Sequence, residues 1–367
     1  MPVGHFEWEV LVVAHVTGEE LKAFAAKVFQ NLGIPAADAE VTAQILVQAD
    51  LRGIDSHGVA RLPIYAKRLK LGLINKQPNI KVVRDRPGAA VVDGDNGLGQ
   101  VVGHKAMTLC LEKARQHGVA VVGVKNSNHF GIGAYYAMMA LKEDMIGMVA
   151  TNTSPLMAPF GGKEALLGTN PIAIAIPAGT QRPVVLDMAT SLVPRGKIEI
   201  AARKGEKIPV GWAIDQDGRP TQEPEEALKG TLLPMGGPKG YGLALVVDIL
   251  CGVLTGAAFG AHTGSLFGDL DRPQNIGHFM LAVDVNSFRP LTEFKNTMDS
   301  LILSIKNSAP AEGFKELFLP GEIEYIKTEE RAQKGIDLNP VVVQNLLDLA
   351  RELGIAGTGT TVETLFA

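Results

Sequence analysis

The chain has 367 residues, 46% of them hydrophobic and 20% charged, with a formal net charge of −4. That balance buries a sizeable core and excludes intrinsic disorder as the main state, since disorder needs low hydrophobicity and high net charge. No dense Lys/Arg run marks a nucleic-acid footprint, and two cysteines are too few for a disulfide scaffold or a cysteine-rich zinc site.

Cys110 and Cys251 both lie in apolar runs, which reads as buried free thiols in a reducing compartment. A cytoplasmic protein is the expectation. Met1 to His15 carries Glu7 and Glu9 but no Lys or Arg, the reverse of a signal peptide. Thr17 with Glu20 has the capping-box form, and Leu21, Phe24, Val28 and Leu32 recur at helical spacing, so a helix is predicted over 18–32. Gly33 and Pro35 end it. Further helices are predicted over 37–51 and 63–71. After Gly72 short strands alternate with helices. The strands are 80–83, 89–92, 119–124, 146–151, 172–176, 184–187 and 278–283. The helices are 101–117, 134–142, 196–207 and 238–256, then 292–307 and 339–353, with a loose tail after Gly354. Alternation of this kind predicts an α/β middle. The stretch Gly240 to Ala261 is apolar except for Asp248, and reads as a fully buried core helix rather than a membrane span. The domain expectation is a helical region from 17–75 with 292–367, and an α/β domain over 76–291.

Two glycine-rich stretches imitate nucleotide motifs. Gly97-Leu98-Gly99 is followed by Gly103, one residue late for G-x-G-x-x-G, and Gly131-Ile132-Gly133 has Tyr136 where the third glycine belongs. Neither is followed by a convincing acidic residue for ribose. No P-loop motif is present. A Rossmann site is therefore not expected.

Polar clusters carry more chemistry. Asp55-Ser56-His57-Gly58, then Arg61 and Tyr65, joins a proton-transfer side chain to a carboxylate-binding guanidinium. Pro63 places the helix start near Leu62, leaving His57 and Arg61 in the preceding loop. The plain alternative is a helix cap with a surface histidine. Asn128-His129-Phe130-Gly131 follows a buried strand, where α/β proteins place ligands or simply turn. Asn152-Thr153-Ser154-Pro155 and Gly168-Thr169-Asn170-Pro171 are similar loops. Asp187 ends a strand, as a ligand contact or a helix cap. Gly237-Pro238-Lys239-Gly240 opens a helix and suits an anion, and Pro320-Gly321-Glu322 is a turn. No metal-ligand cluster is recognised.

Taken together, these segments resemble the malate/L-lactate dehydrogenase family of the second type, which includes ureidoglycolate, sulfolactate and diketogulonate oxidoreductases. The match covers Asp55 to Pro63, Asn128 to Gly131, Ala158 to Gly162, Gly168 to Ala173, Asp187 to Ser191, Gly237 to Gly242 and Pro320 to Glu322, in the family's order. The resemblance implies a non-Rossmann, NAD(P)-binding central domain with a mixed sheet, and a homodimer. It implies hydride transfer between a nicotinamide cofactor, NAD favoured over NADP, and a 2-hydroxy or 2-oxo acid of the malate or L-lactate type. By resemblance His57 is the acid/base, supported by Ser56 and Asp187, with His129 as the other candidate. Arg61 is the carboxylate clamp on its chemistry. The cofactor-binding set that the resemblance implies is Thr153, Asp187, Met188, Ala189, Thr190, Ser191, Pro238, Lys239, Gly321 and Glu322. Reduction of a cyclic imine carboxylate with NADPH is the alternative within the same family.

Overall fold

The structure, a computed structural model, describes residues 14–355. Its first elements are β1 (Ala14–Val16), α1 (Gly18–Asn31), α2 (Ala36–Leu51) and α3 (Leu62–Lys70). Next come β2 (Lys81–Arg86), β3 (Ala89–Asp93), α4 (Gly99–His117), β4 (Val119–Ser127), α5 (Gly133–Met139), β5 (Met145–Thr151), β6 (Ile172–Ile176) and β7 (Val184–Met188). Then follow α6 (Arg195–Lys204), β8 (Ala213–Ile214), α7 (Pro224–Lys229), β9 (Thr231–Leu232) and α8 (Pro238–Asp248). The last are β10 (Ile276–Asp284), α9 (Leu291–Lys306), α10 (Glu322–Lys334), β11 (Ile336–Leu338) and α11 (Pro340–Glu352).

The chain divides into two compact units. One runs up to Ala66 and resumes at Ile326; the other spans Lys67–Tyr325. In the smaller unit the capping box forms as expected, with Glu20 N–H donating to Thr17 Oγ1 (3.2 Å) and Thr17 N–H to Glu20 Oε2 (3.0 Å). Leu21, Phe24 and Val28 of α1 are buried, as are Ile45 and Leu46 of α2. Strands β1 and β11 pair antiparallel, Ala14 opposite Leu338. The loose tail expected after Gly354 lies largely outside the described residues.

The larger unit is built, among the described residues, on a mixed seven-stranded sheet of order β2-β3-β4-β10-β5-β6-β7. Only β3 and β4 pair in parallel; β10 lies antiparallel between β4 and β5. This is the expected α/β class with a mixed sheet. The registers have a functional consequence. Ser127 lies opposite Ile276, Thr151 opposite His278, and Ile172 opposite both Ala150 and Met188. The loops following β4, β5 and β7, and those preceding β6 and β10, therefore leave the sheet at the same end.

Two expectations are corrected. Helix α9 belongs to the larger unit, not with the amino-terminal helices. Its Asp299 accepts from the backbone N–H groups of Gly179, Thr180 and Gln181 (2.9, 2.7 and 3.2 Å), closing the turn between β6 and β7. The apolar helix after Gly237 is not buried all round. It runs as α8 and then widens into a π-helical turn over Ile249–Val253. Val247 and Cys251 pack on Ala150 and Phe279, while Leu243, Val246, Ile249 and Val253 are exposed. A helix apolar on every side gives no periodic signal to separate these two faces. No helix among the described residues is long and apolar enough to cross a membrane.

Candidate active site

The smaller unit holds Ser56, His57 and Arg61. Residues 55–57 and 59–61 form two short 3₁₀ turns ahead of α3, so His57 and Arg61 precede the helix as expected. Ser56 Oγ lies 2.9 Å from His57 Nδ1. Burial and, second, the Arg61 guanidinium pull the imidazole down to about 4, so it is neutral at neutral pH.

This turn rests on a residue the sequence reading missed. Asp50, at the end of α2, is 1% exposed. Its Oδ2 accepts from Val59 N–H at 2.9 Å, and a Cβ on Gly58 would lie 1.8 Å from its Oδ1. Glycine at 58 is therefore a packing requirement. Burial pushes the Asp50 carboxyl up to about 8, against the lowering effect of the Val59 hydrogen bond. Arg331 of α10 donates to the Asp50 carbonyl and to the Asp55 carboxylate. The signal for Asp50 was present: one carboxylate within the apolar run Ile45 to Leu51.

At the shared end of its sheet the larger unit brings together Thr153, Met188 to Ser191 and the start of α8, whereas Gly321 and Glu322 lie against Val185, near the other end of β7. Thr153 Oγ1 accepts from Thr169 N–H (3.0 Å), and Asn170 Oδ1 from Thr153 N–H (3.0 Å). Thr190 donates through its hydroxyl to Thr169 O (2.9 Å), and Met235 N–H donates to Thr190 O (3.0 Å). Ser191 Oγ donates to Val193 O, and Ser191 bridges to Pro234. The loops at 153, 169–170, 190–191 and 234–235 are thus one hydrogen-bonded unit. Met188 and Ala189 connect β7 to it. Pro238 occupies the first turn of α8, where its missing N–H costs nothing. Gly240 fits because a Cβ there would lie 2.2 Å from Met235 O. Lys239 is exposed at this helix start and makes no hydrogen bond or ion pair among the described residues.

Asp187 and Glu322 have structural duties as well. Asp187 Oδ2 accepts from Ala134 N–H at 2.8 Å, capping the first turn of α5. Glu322 pairs with Lys306 (2.6 Å) and accepts from Leu319 N–H (2.9 Å). Gly321, at φ +86°, lies against β7, where a Cβ would meet Val185 O at 2.6 Å. The glycine-rich decoys also have packing reasons: a Cβ on Gly99 would lie 2.0 Å from Asn128 O, and one on Gly133 2.9 Å from the Ala173 side chain. His129 is half-buried between buried Asn128 and Phe130.

A converged set of loops, a helix start bearing an unpaired lysine and closely seated glycines fit an extended anionic cofactor. Among the described residues no group of three His, Cys, Asp or Glu side chains could hold a metal ion.

The candidate cofactor loops at 153, 169–170 and 190–191 leave one end of a mixed sheet, and the chain as a whole is that of a dehydrogenase family. Residues 16–347 match the malate/L-lactate dehydrogenase family, and the chain belongs to that family. Malate dehydrogenase of Pyrococcus abyssi is 46% identical over 92% of this chain and 95% of its own length. The solved sulfolactate dehydrogenase of Methanocaldococcus jannaschii is 47% identical, with a TM-score of 0.88 over 93% of this chain and 97% of that one. The solved malate dehydrogenase of Pyrococcus horikoshii is 40% identical, with a TM-score of 0.87 over 97% and 99%.

Proposed function

We propose that the protein interconverts a 2-hydroxy acid and its 2-oxo acid, with malate or L-lactate as the substrate type and NAD as cofactor. The observation that carries this reading is a neutral imidazole, His57, influenced by the Arg61 guanidinium on a turn fixed by a buried carboxyl. Arg61 binds the substrate carboxylate through paired hydrogen bonds. A bound carboxylate would offset the guanidinium's part in the lowered His57 basicity, while burial, the larger cause, remains. In oxidation His57 Nε2 takes the hydroxyl proton; in reduction it returns one to the developing alkoxide. Ser56 steadies the ring through Nδ1.

Bound nicotinamide supplies or accepts the hydride. Thr153, the Asp187 to Ser191 segment, Pro238 with Lys239, and Gly321 with Glu322 hold it. His129 is the other candidate for the proton-transfer role. Its backbone N–H donates to Gln274 Oε1 at 3.1 Å.

A homodimer is part of the proposal, supported by the exposed Leu243, Val246, Ile249 and Val253 of the α8 segment. Buried free Cys110 and Cys251 support a cytoplasmic location. The test is oxidation of NADH and NADPH with oxaloacetate, pyruvate and a cyclic imine carboxylate. Oxo-acid turnover with NADH is expected. Turnover with the imine alone would move the protein to the reductase reading.

A further inference from the structure

We propose that Gln274 is a positioning residue for His129, holding its backbone so that the imidazole meets the substrate in one geometry. The inference rests on His129 touching substrate. Gln274 is 2% exposed, and both ends of its amide are used. Its Oε1 accepts from His129 N–H at 3.1 Å, and its Nε2 donates to Gly264 O at 3.3 Å. The amide orientation follows from these partners, since only the oxygen can accept.

The segment carrying Gln274 is itself anchored. Arg68, fully buried, donates to the carbonyls of Ser265, Leu266, Asp269 and Arg272 (3.2, 3.3, 2.6 and 3.0 Å). One guanidinium thereby shapes the loop that ends at Gln274. Immediately beyond, His278 bridges two strands. The Thr151 hydroxyl donates to a backbone carbonyl, so it accepts from His278 Nδ1–H at 2.8 Å, and Nε2 then accepts from Ser127 Oγ–H at 2.8 Å. The His278 ring stacks on Phe130 at 4.5 Å and 4°. Tyr136 stacks on Phe130's ring at 4.6 Å and donates its hydroxyl to Phe130 O. On the other side Asn128 Nδ2 donates to Gly97 O at 2.8 Å. Residues 128 and 130 are thus held by neighbours of their own, and Gln274 is a side chain that holds the backbone of residue 129. Such multiply fixed backbone is what a reacting group needs, because misplacement by about 1 Å can cost about 10²-fold in rate.

The experiment compares Gln274→Met, Gln274→Glu, Tyr136→Phe and His129→Asn in the full-length enzyme. Each is measured for kcat, KM and cofactor affinity by NADH fluorescence. Gln274→Met removes the acceptor at nearly constant volume; kcat is expected to fall roughly 10- to 100-fold with cofactor affinity unchanged. Gln274→Glu retains an acceptor for His129 N–H. In its protonated form it also keeps a donor for Gly264 O, so its kcat should recover most of that loss as pH is lowered. Tyr136→Phe loses one hydroxyl, folds with the least disturbance, and should lower kcat by about 3- to 10-fold. Wild-type kcat in Gln274→Met, or a parallel loss of kcat and cofactor affinity in both Gln274 variants, overturns the inference. If Gln274→Met does not fold, Gln274→Glu carries the test, and a kcat that stays at the same ratio to wild type at every pH overturns the inference. His129→Asn separates the two proposals: full activity there removes the role of His129 itself, whereas an inactive His129→Asn beside a fully active Gln274→Met removes only the positioning role.

Discussion

Replacing Asp50 by Asn should abolish a pH dependence of stability that the buried carboxyl creates. In the folded chain the group titrates at about 8 because burial disfavours its charged form. In the unfolded chain it titrates near 3.9. Between these values the folded state holds a proton that the unfolded state has released. Stability is therefore greatest below the unfolded value and falls as pH rises through the folded one. Roughly four pH units at about 1.4 kcal/mol each give a loss of about 6 kcal/mol. That is a large part of the roughly 5–15 kcal/mol a domain typically has. Asparagine keeps an acceptor for Val59 N–H and cannot ionise. Urea unfolding followed by far-UV circular dichroism, between about pH 5 and about pH 9, should show the variant gaining on the wild type up to about pH 8 and levelling off above it. Parallel curves for the two proteins would refute an Asp50 protonated at neutral pH.

Three further changes have defined outcomes. Gly58→Ala places a Cβ 1.8 Å from Asp50 Oδ1, and should cost about 2–3 kcal/mol in denaturant unfolding with loss of turnover. Arg61→Gln removes the second cause of the lowered His57 basicity, so the His57 titration moves upward in NMR. KM for the oxo acid should rise by about 10- to 100-fold through the lost charged hydrogen bonds. Lys239→Met should weaken cofactor binding about tenfold, measured by fluorescence without substrate, and leave the melting temperature of the cofactor-free protein unchanged.

Much of the fold could be read from local pattern. The Thr17–Glu20 box, the periodic apolar residues of α1 and α2, and the Pro63 boundary all act within a few residues of themselves. Helix α10 was not foreseen: it is predominantly polar and has no buried residue to mark a face. Strands β1 and β11 escaped because each is three residues long and depends on a partner over 300 positions away. The candidate site divides in the same way. His57, Arg61 and His129 are chemically conspicuous in sequence. Asp50, Gln274 and Arg68 are not, because their roles exist only once distant loops meet them.

The most direct measurement of the central claim follows the hydride. Oxaloacetate is reduced with NADH carrying deuterium at the transferable C4 position, and the product is examined by NMR and mass spectrometry. The account predicts one deuterium on C2 of the hydroxy acid, and no product with the His57→Ala variant while that variant still binds NADH. Product formed without label at C2, or labelled product formed at the wild-type rate by His57→Ala, would contradict it.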